Sequence, residues 1–192
     1  AEDLIRRGEM EPIILVAIDQ VNGTQRFVDY APWPDSLSGW PWPNGRGDFY
    51  LRAVRDTLKP AVDRRYRTLT GPANTAMMGL SLGGLISVYA GFAYDSTFGK
   101  VAGMSPSYWW DGYEILDFAL ARGRPPLLTR FYQDTGTGRD YCPIGPMADI
   151  APRLGFVPGV DFLSLVAADA NHDTGAWQQR SPGMLRFLFP PR

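Results

Sequence analysis

The sequence predicts an α/β fold in which helices cover both faces of a mostly parallel β-sheet. Runs of apolar, strand-forming residues alternate with helical segments along the whole chain, a pattern typical of right-handed βαβ units. The chain has 192 residues, of which 45% are hydrophobic, and this is enough to bury a substantial core. We therefore expect residues 1–192 to form a single domain.

The first third of the chain predicts a strand followed by a long loop. Residues 1–7 have the pattern of a helix end, and residues 12–18 form a continuous β-branched run typical of a strand buried on both faces. Residues 19–47 are rich in Pro, Gly and Trp and predict a long loop, which in a compact domain usually serves function. Residues 48–66 have helical periodicity, with a kink expected at Pro60.

The remainder of the chain repeats the alternation of strands and helices. A second buried strand is expected at residues 73–80, and further strands are expected at residues 100–104, 127–133 and 161–168. Helices are expected at residues 81–92, 110–121 and 176–189.

The composition argues against several functional classes. A formal net charge of −1 provides no field that would gather nucleic acid or anionic lipid, so neither partner is expected. Cys142 and His172 are the only residues of their types, so the usual clusters of metal ligands are absent and no metal or cofactor is expected. The apolar run at residues 13–18 is too short to span a bilayer. The sequence assigns no compartment.

The sharpest motif is G-L-S-L-G-G at residues 79–84, which fits the pattern G-x-S-x-G. It stands between a predicted strand and a predicted helix, where a very tight turn would lift the hydroxyl of Ser81 above the sheet edge. Gly79 and Gly83 suit such a turn because larger side chains would collide there. Ser81 is therefore the candidate nucleophile, and the backbone N–H of Leu82 is the candidate donor to an oxyanion.

A serine nucleophile needs a base and an acid that orients the base. His172 follows the last predicted strand in a short polar loop and is the candidate base. Two carboxylates near the end of the preceding strand compete for the role of the acid. Asp140 is preferred because it stands in the loop and can reach across to the imidazole, whereas Asp134 at the strand end is the alternative and would otherwise brace the turn.

Several motifs together resemble the putative-esterase family of α/β-hydrolases. They are G-L-S-L-G-G at residues 79–84, F-G-K at residues 98–100 and S-P-S-Y-W-W at residues 105–110. The last is most similar to the siderophore-esterase-like and feruloyl-esterase-like branches. The ending with His172, Trp177 and Arg180 resembles the family pattern H-x-x-x-x-W-x-x-R, and Arg26 with Tyr30 matches R-x-x-x-Y. The resemblance implies an α/β-hydrolase fold and the chain order serine, acid, histidine.

The sequence differs from the pattern of this family in two places. Members place the acid three residues after the Gly of a G-T-x-[DE] turn, where this chain has Arg139, and Asp140 comes one residue later. Members also carry strands upstream of the point where this sequence starts, with a His-Gly loop that gives the second oxyanion N–H. We therefore expect a fold lacking these N-terminal strands: a fragment, a chain completed by a partner segment, or a shortened enzyme.

Aromatic residues concentrate in two segments that should emerge beside Ser81. Trp40 and Trp42 lie in the long loop, and Tyr108 and Trp109 follow the third predicted strand. Such rings could bind an aryl acid, a sugar or a catecholate, or could simply close the core beneath the loop.

Three functions fit these residues. The first is a serine esterase whose substrate is a small aryl or sugar ester. It would hydrolyse this ester through an acyl-enzyme formed on Ser81. The second is an acyltransferase that uses the same site. The third is a non-catalytic ligand-binding module with a hydrolase fold. An intact pair of Ser81 and His172 favours the enzymes, and a missing oxyanion loop favours the binding module.

Overall fold

The structure of the protein is a computed structural model that describes residues 1–19, 23–37 and 44–191. Within this part of the chain, four strands form one parallel sheet in the order β1-β2-β3-β4. The strands are β1 (Ala76–Leu80), β2 (Lys100–Met104), β3 (Arg130–Gly136) and β4 (Phe162–Ala167). The helices are α1 (Glu2–Arg6), α2 (Gln25–Asp29), α3 (Gly47–Ala53), α4 (Lys59–Arg65), α5 (Leu82–Ala93), α6 (Glu114–Arg122), α7 (Gly145–Ile150) and α8 (Thr174–Leu188).

The two central strands are covered on both faces, as the sequence predicted. Val101 of β2 and Phe131 of β3 join a core with α5, α6 and α7, whereas Ala102 and Tyr132 join a second core with α1 and α8. Successive residues of a strand point to opposite faces, so each strand contributes to both cores. The predicted fold class is therefore confirmed.

Residues 12–18 do not form the predicted buried strand. Within the described part of the chain they pair with no strand, and their apolar side chains are exposed by 38–64%: Ile14, Leu15, Val16 and Ile18. They line a cavity of about 780 Å³ together with β1, whose edge away from β2 pairs with no described strand. A run of this composition forms a strand only where a neighbouring edge supplies hydrogen bonds and cover. β1 was predicted to be buried but is only half-buried, because no described strand covers its outer edge.

Several other elements have bounds that differ from the predicted ones. The strand at 100–104 has the predicted bounds, whereas the strand expected at 127–133 lies three residues later. The helix expected at 110–121 begins only at Glu114, because Asp111, Gly112 and Tyr113 have left-handed backbone angles that an α-helix does not accept. The short helices α2, inside the predicted loop, and α7 were not expected; five or six residues are too few to show helical periodicity.

The helical segment after the long loop changes geometry at its centre. A π-helical turn over Val54–Leu58 separates α3 from α4, and Pro60 lies in the first turn of α4. A proline has no N–H to donate to the preceding turn, so the regular ladder is interrupted near the position where the sequence predicted a kink.

The register of the sheet gathers polar residues at one edge. Leu80 is level with Met104, and Met104 is level with Asp134. The backbone N–H of Ser81 then donates to Met104 O at 3.0 Å, and that of Ser105 donates to Asp134 O at 2.8 Å. The residues that follow the carboxyl ends of β1, β2 and β3 therefore lie side by side, which is where open α/β sheets bind ligands.

Candidate active site

Ser81 stands on a strained turn between β1 and α5. Its backbone angles are φ 57° and ψ −123°, a conformation that costs a non-glycine residue free energy and is concentrated at functional sites. The turn is tight enough that a Cβ added to Gly79 would lie 2.2 Å from the carbonyl oxygen of Gly83. The local geometry therefore requires glycine at residue 79 and presents the Ser81 side chain at the sheet edge.

The amino end of α5 lies directly behind this serine. The Ser81 carbonyl accepts hydrogen bonds from the N–H groups of Gly84 at 2.9 Å and Leu85 at 3.1 Å. Leu82 is the first residue of the helix, so its N–H has no acceptor within the helix and is free to meet an oxyanion. This is the arrangement expected from the sequence for the oxyanion donor, whose role stays a prediction.

His172 lies against the carboxylate of Asp140. The distance from His172 Nδ1 to Asp140 Oδ1 is 3.0 Å, and the Asp140 side chain is fully buried. The two loops are also joined through their backbones, because His172 N donates to Arg139 O at 3.1 Å and Arg139 N donates to the Asn171 side chain at 2.8 Å. The extra residue relative to the family turn therefore does not prevent Asp140 from reaching the imidazole.

The carboxylate of Asp140 is held in its ionised form. Burial alone would raise its pKa, but hydrogen bonds from the Ser105 hydroxyl, the His172 ring and the Gly136 N–H, together with the charge of His172, hold the pKa of Asp140 below its ordinary value. The Ser105 Oγ to Asp140 Oδ2 distance is 2.5 Å, and Gly136 N donates to the same oxygen at 2.9 Å. An ionised partner favours the His172 tautomer whose Nδ1 carries the proton.

Asp134, the alternative acid, occupies a different environment. Its side chain is fully buried, its Oδ1 lies 3.1 Å from Arg180 Nη2, and its Oδ2 accepts a hydrogen bond from the Tyr132 hydroxyl at 2.7 Å. Burial and the Asp134 charge raise the pKa of Tyr132, so its hydroxyl stays a donor. The Asp134 carboxylate is thus engaged by a guanidinium and a phenol beneath the site.

Ser81 Oγ makes its hydrogen bond with another serine. Its partner is Ser107 Oγ at 3.3 Å, and Ser107 N donates to the Ser81 carbonyl at 3.1 Å. Among the residues that the structure describes, no hydrogen bond joins Ser81 to His172. Catalytic hydrogen bonds are often long or poorly aligned without substrate and tighten in the substrate complex, so the pairing of Ser81 with His172 stays a prediction.

Cys142 adjoins the imidazole. Its Sγ lies 3.7 Å from His172 Nδ1, and burial, followed by the nearby charge of Asp140, raises the pKa of the thiol to about 12. Asp140, Cys142 and His172 each offer one atom to a metal ion, and these atoms lie within 4.8 Å of one another. The sequence did not predict this cluster. Metal binding would have to remove the thiol proton and displace the contact between His172 and Asp140.

The aromatic residues predicted to bind substrate have different surroundings. The side chain of Trp109 is 37% exposed, so it can meet a ligand. Tyr108 is instead a core residue: its side chain is fully buried and its hydroxyl has no hydrogen-bond partner among the described residues. This burial favours the alternative that the ring of Tyr108 closes the core, and its contact with substrate stays a prediction. Trp40 and Trp42 lie outside the described residues.

Ser105 and Ser107 were missed as site residues by reasoning from the sequence. Both belong to the S-P-S motif directly after β2, and both side chains are buried beside the candidate triad. The signal that would have found them is a pair of serines at the carboxyl end of a central parallel strand.

A comparison with family models places residues 1–186 of the chain in the family described as "Putative esterase". Among curated proteins, the siderophore enterobactin esterase of Emericella nidulans is 33% identical over 132 residues, covering 60% of this chain and 44% of that protein. This chain thus spans less than half the length of the curated relatives that it matches.

Solved structures show the same fold. A crystal structure of the enterobactin esterase from Shigella flexneri matches with a TM-score of 0.76 at 23% identity, covering 97% of this chain and 46% of that chain. A ferulic acid esterase matches with a TM-score of 0.58 at 17% identity, covering 73% of this chain and 60% of that chain. These likenesses identify the fold as that of the α/β-hydrolase esterases.

No helix within the described residues is long and apolar enough to cross a membrane.

Proposed function

Because the chain belongs to the family described as "Putative esterase", we propose that it hydrolyses carboxylic esters with Ser81 as nucleophile, His172 as general base and Asp140 as the acid that orients the base. The observation that carries this proposal is the strained conformation of Ser81, φ 57° at the amino end of α5, on the same sheet edge as the contact between His172 and Asp140. A strained serine between a strand and a helix has little structural use.

The mechanism follows from these positions. Ser81 Oγ attacks the ester carbonyl while His172 Nε2 accepts the hydroxyl proton, and Asp140 stabilises the resulting imidazolium. The tetrahedral oxyanion accepts a hydrogen bond from the N–H of Leu82. Collapse of the intermediate breaks the bond to the alcohol, which leaves with the proton from His172. Water then attacks the acyl-enzyme by the same route and releases the carboxylic acid and free Ser81.

We propose an ester that bears an aromatic group as the substrate. One curated relative is described as a siderophore enterobactin esterase, and another, from Dickeya dadantii, as an iron(III) enterobactin esterase. The half-exposed Trp109 lies two residues beyond Ser107, which contacts the nucleophile, and its face can stack on an aromatic acyl group.

One observation favours a second function, that of a non-catalytic ligand-binding module. Ser81 Oγ is hydrogen-bonded to Ser107 and not to His172. If this arrangement persisted with ligand bound, the serine would lack a base. The two functions differ in one measurable property, because a serine that cannot be activated neither hydrolyses esters nor reacts with electrophilic phosphonates.

The test is ester hydrolysis by matched serine variants. Rates are measured on a panel of p-nitrophenyl and dihydroxybenzoyl esters for the wild-type chain, Ser81→Ala and Ser87→Ala. Ser87 is buried within α5, and its hydroxyl donates to the Gly83 carbonyl at 2.7 Å, so it controls for loss of a buried hydroxyl. We expect Ser81→Ala to abolish hydrolysis and Ser87→Ala to retain it. Residual activity above a few per cent in Ser81→Ala contradicts the proposal, and product analysis with added alcohols separates hydrolysis from acyl transfer.

A further inference from the structure

The hydroxyl of Ser105 is the centre of a buried polar network behind the candidate triad. Ser105 follows β2, is fully buried, and has a left-handed backbone with φ 45°. Its Oγ accepts hydrogen bonds from Trp177 Nε1 at 2.9 Å and Arg180 Nη2 at 3.0 Å. The same Oγ lies 2.5 Å from Asp140 Oδ2.

These contacts fix the direction of the Ser105 hydroxyl proton. A serine hydroxyl has one donor proton and two acceptor lone pairs. The indole of Trp177 and the guanidinium of Arg180 are donors only, so they occupy both lone pairs. The proton is therefore left to point at Asp140, whose other oxygen faces His172 Nδ1 at 3.0 Å.

Arg180 has a geometry that does not suit a purely stabilising role. Its side chain is only 10% exposed, and its Nε and Nη1 atoms are buried without hydrogen-bond partners among the described residues. Its Nη2 lies between Ser105 Oγ at 3.0 Å, Asp134 Oδ1 at 3.1 Å and Asp140 Oδ2 at 3.9 Å. Burial of a cation with unsatisfied N–H groups costs free energy of folding, so stabilisation does not explain why Arg180 is buried here. Its position is better explained by the orientation that it imposes on the side chains around it.

Trp177 connects the same network to the base. Its ring packs edge-on against the His172 imidazole, with ring centroids 4.8 Å apart, while its Nε1 donates to Ser105. Asp173, next to His172, caps α8 by accepting a hydrogen bond from Ala176 N at 2.9 Å, and this helix carries both Trp177 and Arg180. One helix therefore holds both groups that orient Ser105.

From this network we infer that Ser105 is a positioning residue for the proposed reaction: its hydroxyl, oriented by Trp177 and Arg180, fixes the Asp140 carboxylate at His172 Nδ1. The inference rests on the proposed function for its kinetic consequence only. Removal of the hydroxyl leaves Asp140 with one hydrogen-bond donor fewer and lets its carboxylate turn toward Arg180, which takes it away from the imidazole.

The experiment compares Ser105→Ala with the matched control Ser87→Ala. We expect kcat to fall by about tenfold to a hundredfold in Ser105→Ala with KM changed by less than about twofold, since misplacing a reacting group by about 1 Å costs up to about a hundredfold. The control should stay within about twofold of wild type for both constants. Trp177→Phe keeps an aromatic ring beside His172 but removes the donor to Ser105, and a smaller loss in kcat is expected.

A spectroscopic measurement on the same variants does not depend on substrate. His172 is the only histidine in the chain, so labelled histidine gives a single imidazole signal in NMR. We expect a far-downfield Nδ1–H resonance in wild type and Ser87→Ala, and its broadening or loss in Ser105→Ala and Trp177→Phe. An unchanged resonance together with an unchanged kcat in Ser105→Ala overturns the inference, as does a loss of activity carried by KM alone. If the wild-type chain hydrolyses no ester, the proposed function fails and the resonance alone decides the role of Ser105.

Discussion

At the scale of single residues, Asp134 within β3 and Asp140 in the loop after β3 have separate environments. Asp140 faces the imidazole of His172 at 3.0 Å, whereas Asp134 is paired with Arg180 and Tyr132. Chain position alone left both open as the acid. The distinction depends on where β3 ends, and the strand continues through Asp134 to Gly136, which keeps the Asp134 side chain within the sheet.

The two carboxylates should respond differently to amidation. We expect Asp140→Asn to lower kcat on the order of ten thousandfold with a far smaller change in KM, because the His172 tautomer would be wrong. Asp134→Asn removes the nearer counter-ion of the buried Arg180 and should lower the free energy of unfolding by roughly 3 kcal/mol, with a smaller effect on kcat. Steady-state kinetics and denaturant unfolding of both variants test this. An inactive but normally stable Asp134→Asn with an active Asp140→Asn would reverse the assignment.

Cys142 should be inert in the folded protein. Its thiol pKa is raised to about 12 by burial and by Asp140, above the value of about 8.5 for an unfolded thiol. The folded state thus binds the proton more tightly, so this stabilising contribution is complete below about pH 8.5 and is lost as pH rises toward about 12. We expect a disulfide reagent at pH 8 to label the unfolded chain rapidly and the native chain slowly. Rapid stoichiometric labelling of the native chain would contradict the burial and the raised pKa.

At the scale of secondary-structure elements, sequence patterns predicted the part of the site that depends on local geometry. The turn at Ser81 was predictable because G-x-S-x-G requires small residues where β1 meets α5, and β2 was predicted with its observed bounds. Residues 12–18 show where prediction from local patterns fails. Their composition indicates that they can form a strand, but pairing depends on the edge of another strand far away in the sequence. The same limit applies to Ser105, whose contacts come from residues more than 30 positions away.

The turn at Ser81 should not tolerate a side chain at residue 79. A Cβ on Gly79 would meet three backbone atoms of Gly83 at 2.2–2.9 Å, and backbone cannot move aside as a flexible side chain can. We expect Gly79→Ala to lower the free energy of unfolding by about 1–3 kcal/mol and to reduce kcat, because the turn must open. Gly183→Ala is the control, since no atom lies within 4 Å of its added Cβ and it lies within α8. The control should gain about 0.5–1 kcal/mol. Equal stability of the two variants, measured by urea unfolding, would show that the turn is not constrained.

At the scale of the whole molecule, the two edges of β1, the first strand of the sheet, differ in whether they are paired. The side of β1 that faces β2 is paired, whereas the other side and residues 12–18 line an apolar cavity of about 780 Å³. Exposed apolar side chains beside an unpaired strand edge offer a surface that can bind apolar compounds or pair with another chain. The candidate active site lies at the carboxyl end of the same strand, so the state of this edge bears on the position of Ser81.

This apolar surface should bind a hydrophobic dye. We expect the wild-type chain to increase the fluorescence of anilinonaphthalene sulfonate in its native state, and the double variant Leu15→Ser, Val16→Ser to reduce the increase, because both side chains line the cavity and are 64% and 43% exposed. Leu120→Ser removes a similarly exposed leucine of α6 that does not line the cavity and should leave the signal unchanged. A signal that the double variant does not reduce would show that the dye binds elsewhere.

The central claim is that Ser81 is an activated nucleophile, and covalent labelling measures this directly. The native chain is treated with a fluorophosphonate, and the adduct is located by intact mass and peptide mapping in wild type, Ser81→Ala and Ser87→Ala. An activated serine attacks phosphorus, fluoride leaves, and His172 takes the proton. We predict one adduct per chain on Ser81 in wild type and Ser87→Ala and none in Ser81→Ala. An unlabelled wild-type chain, or an adduct that persists in Ser81→Ala, would contradict the claim.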